Sequence, residues 1–324
     1  MNIAEIAKRA GVSSAAVSRY FNDGYISEEK REKIRRVVEE TGYRPSVQAQ
    51  TLRTKKTKMI GVIVPKVTSA SIGRVVEGIL SVLNGRKYQM LLAVTQNNPE
   101  KELEYLDTFS EKQVDGVILV ATVITARHKQ VLKNLPVPVV LVGQHLSGCC
   151  CVYHDDYHAS YDLTKYLLET GRKKLGYLGA IWQDKAVGEQ RYKGFQDALQ
   201  DAGLGELAKN YVISAFTVAS GYEKTGELLE KCGDLDGIIC ATDTMAAGAV
   251  KCLRERGIEV PGQTLVAGQG DSDMAGVMSP PLLTVHYSYE KSGEMAAGML
   301  MEILHQGGTD LREIKLGYYL VKSD

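Results

Sequence analysis

Residues 2–19 read NIAEIAKRAGVSSAAVSR, a pattern typical of two short helices joined by a tight turn. Apolar residues at positions 3, 6, 7 and 10 follow helical spacing and predict one buried face. Gly11 then suits a helix end, where positive φ is favourable, and Ser13 suits the N-cap of the next helix. Small residues and Arg19 occupy the free side of this second helix, which can therefore enter a major groove and reach guanine. The stretch predicts a DNA-reading helix-turn-helix.

The distribution of charge along the chain supports a nucleic-acid partner for the N-terminal residues 1–58 only. The 324 residues have a net charge of zero, but residues 1–58 carry 13 Lys/Arg against 7 Asp/Glu. The first 58 residues therefore have a net charge of +6 and the remainder −6. A basic head on an acidic body is expected to bind a polyanion through the head. A solvated charged surface is the alternative interpretation of the same asymmetry.

A third helix is expected to begin at Ser27 and to end near Gly42, and Pro45 then interrupts the chain. Residues 46–53 form a short helical pattern of their own, followed by a polar, basic linker. From residue 59 onward, continuous apolar runs of strand length alternate with helical patterns, which predicts parallel, doubly wound α/β sheets. About 265 residues of this pattern favour two similar lobes, with a ligand cleft at the carboxyl ends of the strands.

Cysteine usage and hydropathy exclude several other classes of protein. Cys149, Cys150 and Cys151 are consecutive and no repeated C-x-x-C spacing occurs, so reduced thiols are expected rather than disulfides. A metal site built from these three residues and His154 is disfavoured, because adjacent strand residues point to opposite faces. We expect no metal and no cofactor. No signal peptide and no membrane span is apparent, which indicates a cytoplasmic protein without a membrane partner.

Six motifs in order give the chain a strong resemblance to the lactose/galactose repressor (LacI/GalR) family. They cover almost its whole length: residues 3–19 with 42–45, residues 49–53, 60–65, 171–179 with 191–195, 241–248, and 280–285. The resemblance implies three parts, a helix-turn-helix DNA-binding head at 1–45, a hinge helix and linker at 46–58, and an effector-binding and dimerisation body at 59–324. The body would have two lobes and a fold like that of periplasmic binding proteins.

The resemblance also implies a set of DNA contacts on a pseudo-palindromic operator bound by a homodimer. Ser14, Ala15 and Arg19 would face base edges. The residues implied to hold phosphates are Ser13, Ser18, Asn22 and Tyr43. The hinge helix would contribute Ser46, Ala49, Gln50, Leu52 and Arg53, with Leu52 as a minor-groove wedge that bends the duplex. Leu52 packing on the body is the alternative for that residue.

The effector is expected to be a small molecule, and the family's example suggests a sugar. The residues expected to contact it are Ser71, Trp182, Arg191, Phe216, Asp243 and Asp271. Four of them have a structural alternative: Arg191 as a surface ion pair, Phe216 as core, Trp182 as lobe packing, and Asp243 as the cap of the following helix. The segment 69–71 reads Ser-Ala-Ser where many family members carry Asn-Pro-Phe, and Thr242 and Gly270 also depart from the common pattern.

The family implies a transcriptional repressor of a sugar-utilisation operon and not an enzyme. Residues 268–273 begin like a dinucleotide-binding loop, but Asp273 stands where the third glycine is required. A periplasmic sugar-binding protein would lack the basic head. The remaining alternative is a global carbon-catabolite regulator controlled by a phosphorylated carrier protein. No leucine heptad follows the last strand-like run at 315–322, so a dimer rather than a tetramer is expected.

Overall fold

The computed structural model describes residues 1–22, 24–43, 56–111, 114–306 and 311–322. The chain consists of two compact units, Met1–Thr57 and Lys58–Asp324. The hinge helix predicted at 46–53 lies outside the described residues. None of the helices in the described ranges combines the length and the apolar character that a membrane span requires.

The first unit contains the predicted helix-turn-helix, formed by α1 (Ile3–Ala10), α2 (Ser14–Phe21) and α3 (Glu28–Thr41). Gly11 ends α1 in the left-handed region at φ 63°, as the sequence indicates. Ser13 caps α2, because its Oγ accepts a hydrogen bond of 3.2 Å from the Ala16 amide. The apolar residues of all three helices, among them Ile6, Val17 and Ile34, form one small buried core.

The second unit begins with a six-stranded parallel sheet, which defines lobe 1. Its strand order is β11-β5-β4-β3-β1-β2, and every pair in it is parallel. The strands are β1 (Met59–Val64), β2 (Gln89–Val94), β3 (Gly116–Val120), β4 (Val139–Val142), β5 (Cys150–His154) and β11 (Glu313–Leu316). The helices that pack on this sheet are α4 (Ala70–Gly85), α5 (Pro99–Glu111), α6 (Ala126–Asn134) and α12 (Tyr289–Gln306). The central strands are buried on both faces, which explains their continuous apolar sequence.

Helices α4 and α12 cross at a contact that only glycine permits. A Cβ on Gly78 would lie 2.0 Å from the Glu290 carbonyl oxygen, and one on Gly293 would lie 2.0 Å from the Val75 carbonyl oxygen. The two backbones therefore approach each other reciprocally, and a side chain at either position would separate the helices.

Lobe 2 is built on a four-stranded parallel sheet of order β7-β6-β8-β9. The strands are β6 (Leu175–Gly179), β7 (Tyr211–Ile213), β8 (Gly237–Cys240) and β9 (Leu265–Ala267). The helices of this lobe are α7 (Asp156–Glu169), α8 (Arg191–Asp201), α9 (Val218–Cys232), α10 (Asp243–Glu255) and the short α11 (Asp273–Val277). A π-helical turn, Lys185–Gln190, precedes α8, and a 3-10 turn, Gly205–Lys209, follows it. The predicted parallel, doubly wound class is confirmed for both lobes.

The chain passes between the lobes three times, and each passage is a single residue long. Asp155 separates β5 from α7, Ser288 separates β10 (Thr284–Tyr287) from α12, and Gly317 separates β11 from β12 (Tyr318–Val321). Strands β10 and β12 form an antiparallel pair of their own. The single strand-like run expected at 315–322 is therefore wrong: the run is two strands in different sheets. None of the six cysteines, all of which lie in the described ranges, forms a disulfide.

Candidate functional site

A cleft of about 530 Å³ lies between the two lobes, at the carboxyl ends of both parallel sheets. Its walls are formed by the segments that follow β1, β3 and β4 in lobe 1 and β6, β8 and β9 in lobe 2. Open α/β sheets bind ligands at this edge because polar groups on successive strand-end loops converge there. The volume is within the range of a small-molecule site.

Arg191 lies at the lobe 2 wall of the cleft and is buried, not exposed. It begins α8, and its Nε donates a 2.7 Å hydrogen bond to Asp156 Oδ1. Its Nη1 donates to the Ala241 carbonyl at 2.6 Å, and its guanidinium lies 4.5 Å from the centre of the Tyr287 ring. The alternative of a surface ion pair is therefore wrong. Both charges line the cleft, so the pair is a polar surface already fixed before any ligand arrives.

Asp243 also lines the cleft, and its carboxylate is held by two donors. Oδ1 accepts a 2.5 Å hydrogen bond from Thr284 Oγ1, and Oδ2 accepts one of 2.7 Å from the Ser272 amide. Burial raises the pKa of this carboxyl above its usual range, although both hydrogen bonds oppose the shift. The alternative role as helix cap belongs to Thr242, whose Oγ1 accepts from the Met245 amide.

Gln144 and Asp184 connect the two lobes at the cleft, and the sequence did not indicate either residue. Gln144 follows β4 of lobe 1, and its Nε2 donates a 2.7 Å hydrogen bond to Asp184 Oδ1 of lobe 2. Asp184 also caps the π-helical turn by accepting from the Val187 amide. Burial raises the pKa of Asp184 to about 6. Gln144 directly follows a predicted strand, so its position was the available signal, whereas Asp184 lies five residues beyond the end of β6.

His154, the last residue of β5, is a third cleft residue that the sequence did not indicate as a ligand contact. Burial lowers the pKa of its imidazole, so the ring is neutral near pH 7. Its Nε2 has no hydrogen-bond partner among the residues that the structure describes. A neutral ring beside Arg191 keeps the cleft from gaining a further positive charge.

The lobe 1 wall is made of smaller and more exposed polar groups. It contains Thr68, Ser69, Ser71 and Thr122, and the Ser69 and Ser71 hydroxyls lie 2.9 Å apart. At its rim Arg74 of α4 reaches across to lobe 2 and donates a 2.8 Å hydrogen bond to the Asp271 carbonyl.

The predicted effector residues divide into those at the cleft and those outside it. Ser71, Arg191, Phe216 and Asp243 line the cleft. Trp182 does not line it: its indole packs edge-on against Tyr192 at 4.8 Å and against Tyr211 at 5.6 Å, inside lobe 2. The Asp271 side chain also lies outside the lining and pairs with His286 at 2.7 Å. The structure thus favours the packing alternative for Trp182.

The head presents the predicted DNA contacts on the free side of α2. Ser13, Ser14, Ala15, Arg19 and Asn22 are exposed, whereas Ser18 is half-buried. Tyr43 is half-buried too, with its ring 5.7 Å from that of Phe21. Sequence reasoning overlooked Tyr25, whose side chain is 92% exposed in the segment between α2 and α3. The hinge contacts predicted from the resemblance fall in 44–55, outside the described residues, and they are Ser46, Ala49, Gln50, Leu52 and Arg53.

Two family models match this chain. Residues 2–46 match the model of bacterial regulatory proteins of the lacI family, and residues 164–322 match a periplasmic binding protein-like domain. The sucrose operon repressor of Staphylococcus xylosus is 32% identical over 306 residues, covering 94% of this chain and 94% of that protein.

Solved structures resemble the whole chain. The transcriptional regulator CelR in complex with cellobiose has a TM-score of 0.76 and 26% sequence identity, covering 99% of this chain and 98% of its own. The lac repressor dimer bound to operator and an anti-inducer has a TM-score of 0.90 over 99% of this chain and 98% of its own. Its identity of 21% makes that second likeness evidence for the fold alone.

Proposed function

The chain belongs to the lacI family of bacterial regulatory proteins, and from that premise we propose that it represses a sugar-utilisation operon under the control of an uncharged carbohydrate bound in its cleft. The observation that carries the effector proposal is the composition of the cleft. Many hydroxyl, amide and carboxylate groups converge there, as recognition of a polyhydroxylated ligand requires.

The charge of the cleft favours an uncharged effector over a phosphorylated or carboxylated one. Its lining contains four aspartates, Asp156, Asp184, Asp243 and Asp273, against two permanent cations, Lys66 and Arg191. Arg191 is already paired with Asp156, so it offers little positive charge to a ligand anion. A phosphate group would therefore lose its hydration and meet four carboxylates, with Lys66 as the one cation not already paired in the described lining.

Both the relatives and the contact geometry support a carbohydrate. A sucrose operon repressor and a regulator solved with cellobiose are similar to this chain over nearly its full length. Phe216 lines the cleft and can lie against the apolar face of a sugar ring, while Ser71 and Asp243 can hydrogen-bond its hydroxyls.

For the DNA-binding part, we propose that two copies of the chain bind a pseudo-palindromic operator in the cytoplasm. Ser14, Ala15 and Arg19 of α2 would read bases, and the neighbouring polar residues would hold phosphates. The proposed division is a head at 1–45, a hinge helix and linker at 46–58 with Leu52 as the minor-groove wedge, and the two-lobed body at 59–324.

A thermal-shift screen tests the effector proposal. We expect at least one neutral mono- or disaccharide, at about 100 times its Kd, to raise the Tm by roughly 5 °C. The phosphorylated form of the same sugar should give no shift at the same concentration. A shift produced by sugar phosphates alone would contradict the charge argument.

Selection from a randomised duplex pool tests the DNA-binding proposal. The wild type should enrich a two-fold-related site, and Arg19→Ala should bind that site about 1–3 kcal/mol more weakly at fixed salt. Arg35→Ala is the matched control, because Arg35 is an exposed arginine of α3 paired with Glu32 and Glu39. Equal affinity of wild type and Arg19→Ala would refute the assignment of α2 as the reading helix.

A further inference from the structure

A thiol, an imidazole and a carboxylate meet at one edge of the lobe 1 sheet, away from the cleft. The donor atoms of His145, Cys151 and Glu313 all lie within 4.8 Å of one another. His145 Nε2 is 3.1 Å from Glu313 Oε2. We call these three residues the edge cluster.

Strand register explains why the edge cluster forms. Cys151 of β5 and Glu313 of β11 are direct partners in a parallel pair, so their side chains project from the same face of the sheet. His145 lies in the loop that joins β4 to β5 and reaches over that face. Its ring is placed against Tyr153, two residues beyond Cys151 on the same strand, with the ring centres 5.1 Å apart.

The surroundings of the edge cluster suit a metal ion that enters from one side. Cys151 is fully buried at the base, whereas the side chains of His145 and Glu313 are 47% and 41% exposed. The two exposed side chains can therefore change rotamer and close on an ion while the sulfur stays fixed. A water molecule would complete the tetrahedral set of ligands.

The ligand types select the class of metal. Tetrahedral zinc bound by sulfur, nitrogen and oxygen at about 2.0–2.3 Å needs ligand atoms roughly 3.3–3.8 Å apart. In the edge cluster one pair of donor atoms lies 3.1 Å apart and all three lie within 4.8 Å, so small rotamer changes can bring them to that geometry. A thiolate with an imidazole favours Zn²⁺ or a similar ion over Mg²⁺ and Ca²⁺, which prefer oxygen ligands alone.

We propose that His145, Cys151 and Glu313 form a binding site for Zn²⁺ or a chemically similar transition-metal ion. This set differs from the combination of Cys149, Cys150, Cys151 and His154 that strand alternation disfavours. The His154 side chain lines the cleft, and Cys150 packs on the opposite face of the sheet. A bound ion would link β11 to β5, the neighbouring strand of the same sheet.

Cobalt spectroscopy on the untagged full chain, with its thiols kept reduced, tests the proposal. Titration with CoCl₂ should give one equivalent of binding and a thiolate-to-cobalt charge-transfer absorption, which ZnCl₂ should then abolish. Cys151→Ala should remove this absorption. His145→Ala and Glu313→Gln should each weaken Zn²⁺ binding by more than about tenfold, since loss of even an outer-shell partner costs that much.

Two matched controls separate this site from incidental binding. Cys150→Ala removes a thiol from the opposite face of the same strand, and His158→Ala breaks another exposed histidine–carboxylate pair, with Asp155 at 2.9 Å. Both should bind Zn²⁺ like the wild type. Cobalt binding without the charge-transfer absorption, or unchanged Zn²⁺ affinity in His145→Ala and Glu313→Gln, would overturn the proposal. Those two side chains are partly exposed, so they carry the test even if Cys151→Ala fails to fold.

Discussion

The two walls of the cleft are built in different ways. The lobe 2 wall contains buried charged groups that are hydrogen-bonded within the protein, namely Arg191 with Asp156 and Asp243 with Thr284. The lobe 1 wall contains partly exposed hydroxyls such as Ser71, whose hydrogen bonds are short-range. Lobe 1 also contributes three buried polar residues, Gln144, His154 and Ser292, and of these Gln144 is bonded to Asp184 across the cleft.

This difference indicates a division of work between the walls. A wall whose charged groups are buried and hydrogen-bonded is fixed before a ligand binds, and the loss of such a group should reduce stability before it affects recognition. A wall of small hydroxyls contributes little to folding, so its groups are available for a ligand and can be replaced without harm to the lobe. Substitutions in the lobe 2 wall should therefore reduce stability more than effector affinity. Substitutions in the lobe 1 wall should reduce effector affinity more than stability.

The largest effect is expected for Arg191→Ala. It leaves Asp156 buried without its counter-charge and should lower the free energy of unfolding by about 3–5 kcal/mol, measured by urea denaturation. Lys193→Ala on the same helix is the matched control, because its pair with Asp197 is exposed and should contribute less than about 1 kcal/mol. Similar losses in both variants would show that the lobe 2 wall is no more structural than the surface.

The next effect is a pH dependence at Asp184. Its folded pKa of about 6 lies above the ordinary value of 3.8, so ionisation opposes folding: this group's contribution is fully favourable below pH 3.8 and is lost as the pH rises through 6. Asp184→Asn cannot ionise. Its free energy of unfolding, relative to wild type, should therefore increase by on the order of 2–3 kcal/mol between pH 4 and 7.

The measurement is urea denaturation at a series of pH values for both proteins. Parallel pH profiles for wild type and Asp184→Asn would mean that burial does not raise the pKa of this carboxyl. Ionisation of Asp184 beside Gln144 would then cost no folding free energy.

The smallest effect is expected for Ser71→Ala in the lobe 1 wall. Its free energy of unfolding should change by less than about 0.5 kcal/mol, since the hydroxyl is partly exposed. Its effector affinity, measured by calorimetry with the sugar found in the screen, should fall by about 0.5–1.5 kcal/mol. Ser81→Ala on the same helix but outside the cleft should change neither quantity. A large loss of stability in Ser71→Ala would contradict the proposed contrast.

The fold was predictable wherever a strand is buried on both faces. The run at β1, Met59–Val64, is continuous and apolar, and so is β3, Gly116–Val120. The sequence did not predict β10, because Thr284–Tyr287 mixes polar and apolar residues where the chain leaves one lobe for the other. It did not predict β7 either, because Tyr211–Ile213 is only three residues long. The polar helix α6, Ala126–Asn134, was missed for a related reason, since only His128 of its side chains is buried.

The site was predictable where a motif fixes a residue, and not where a distant partner does. The motifs contain Arg191 and Asp243, the family resemblance implied Phe216, and all three line the cleft. Gln144 and Asp184 depend on each other across 40 residues, so neither stands out in its local sequence. Trp182 follows β6 as a cleft residue would, but neighbouring tyrosines in lobe 2 supply its packing partners.

The three single-residue passages at Asp155, Ser288 and Gly317 limit how the lobes can move. Each passage is a single residue long, so none is a flexible linker. Together the three passages should restrict the lobes chiefly to one motion, a change in the angle between them. A molecule that binds more tightly at one angle between the lobes therefore fixes the conformation of the whole body. Inserting a flexible residue at 317 should loosen one of the three passages. Ligand binding in the cleft should then no longer fix the relative position of the two lobes.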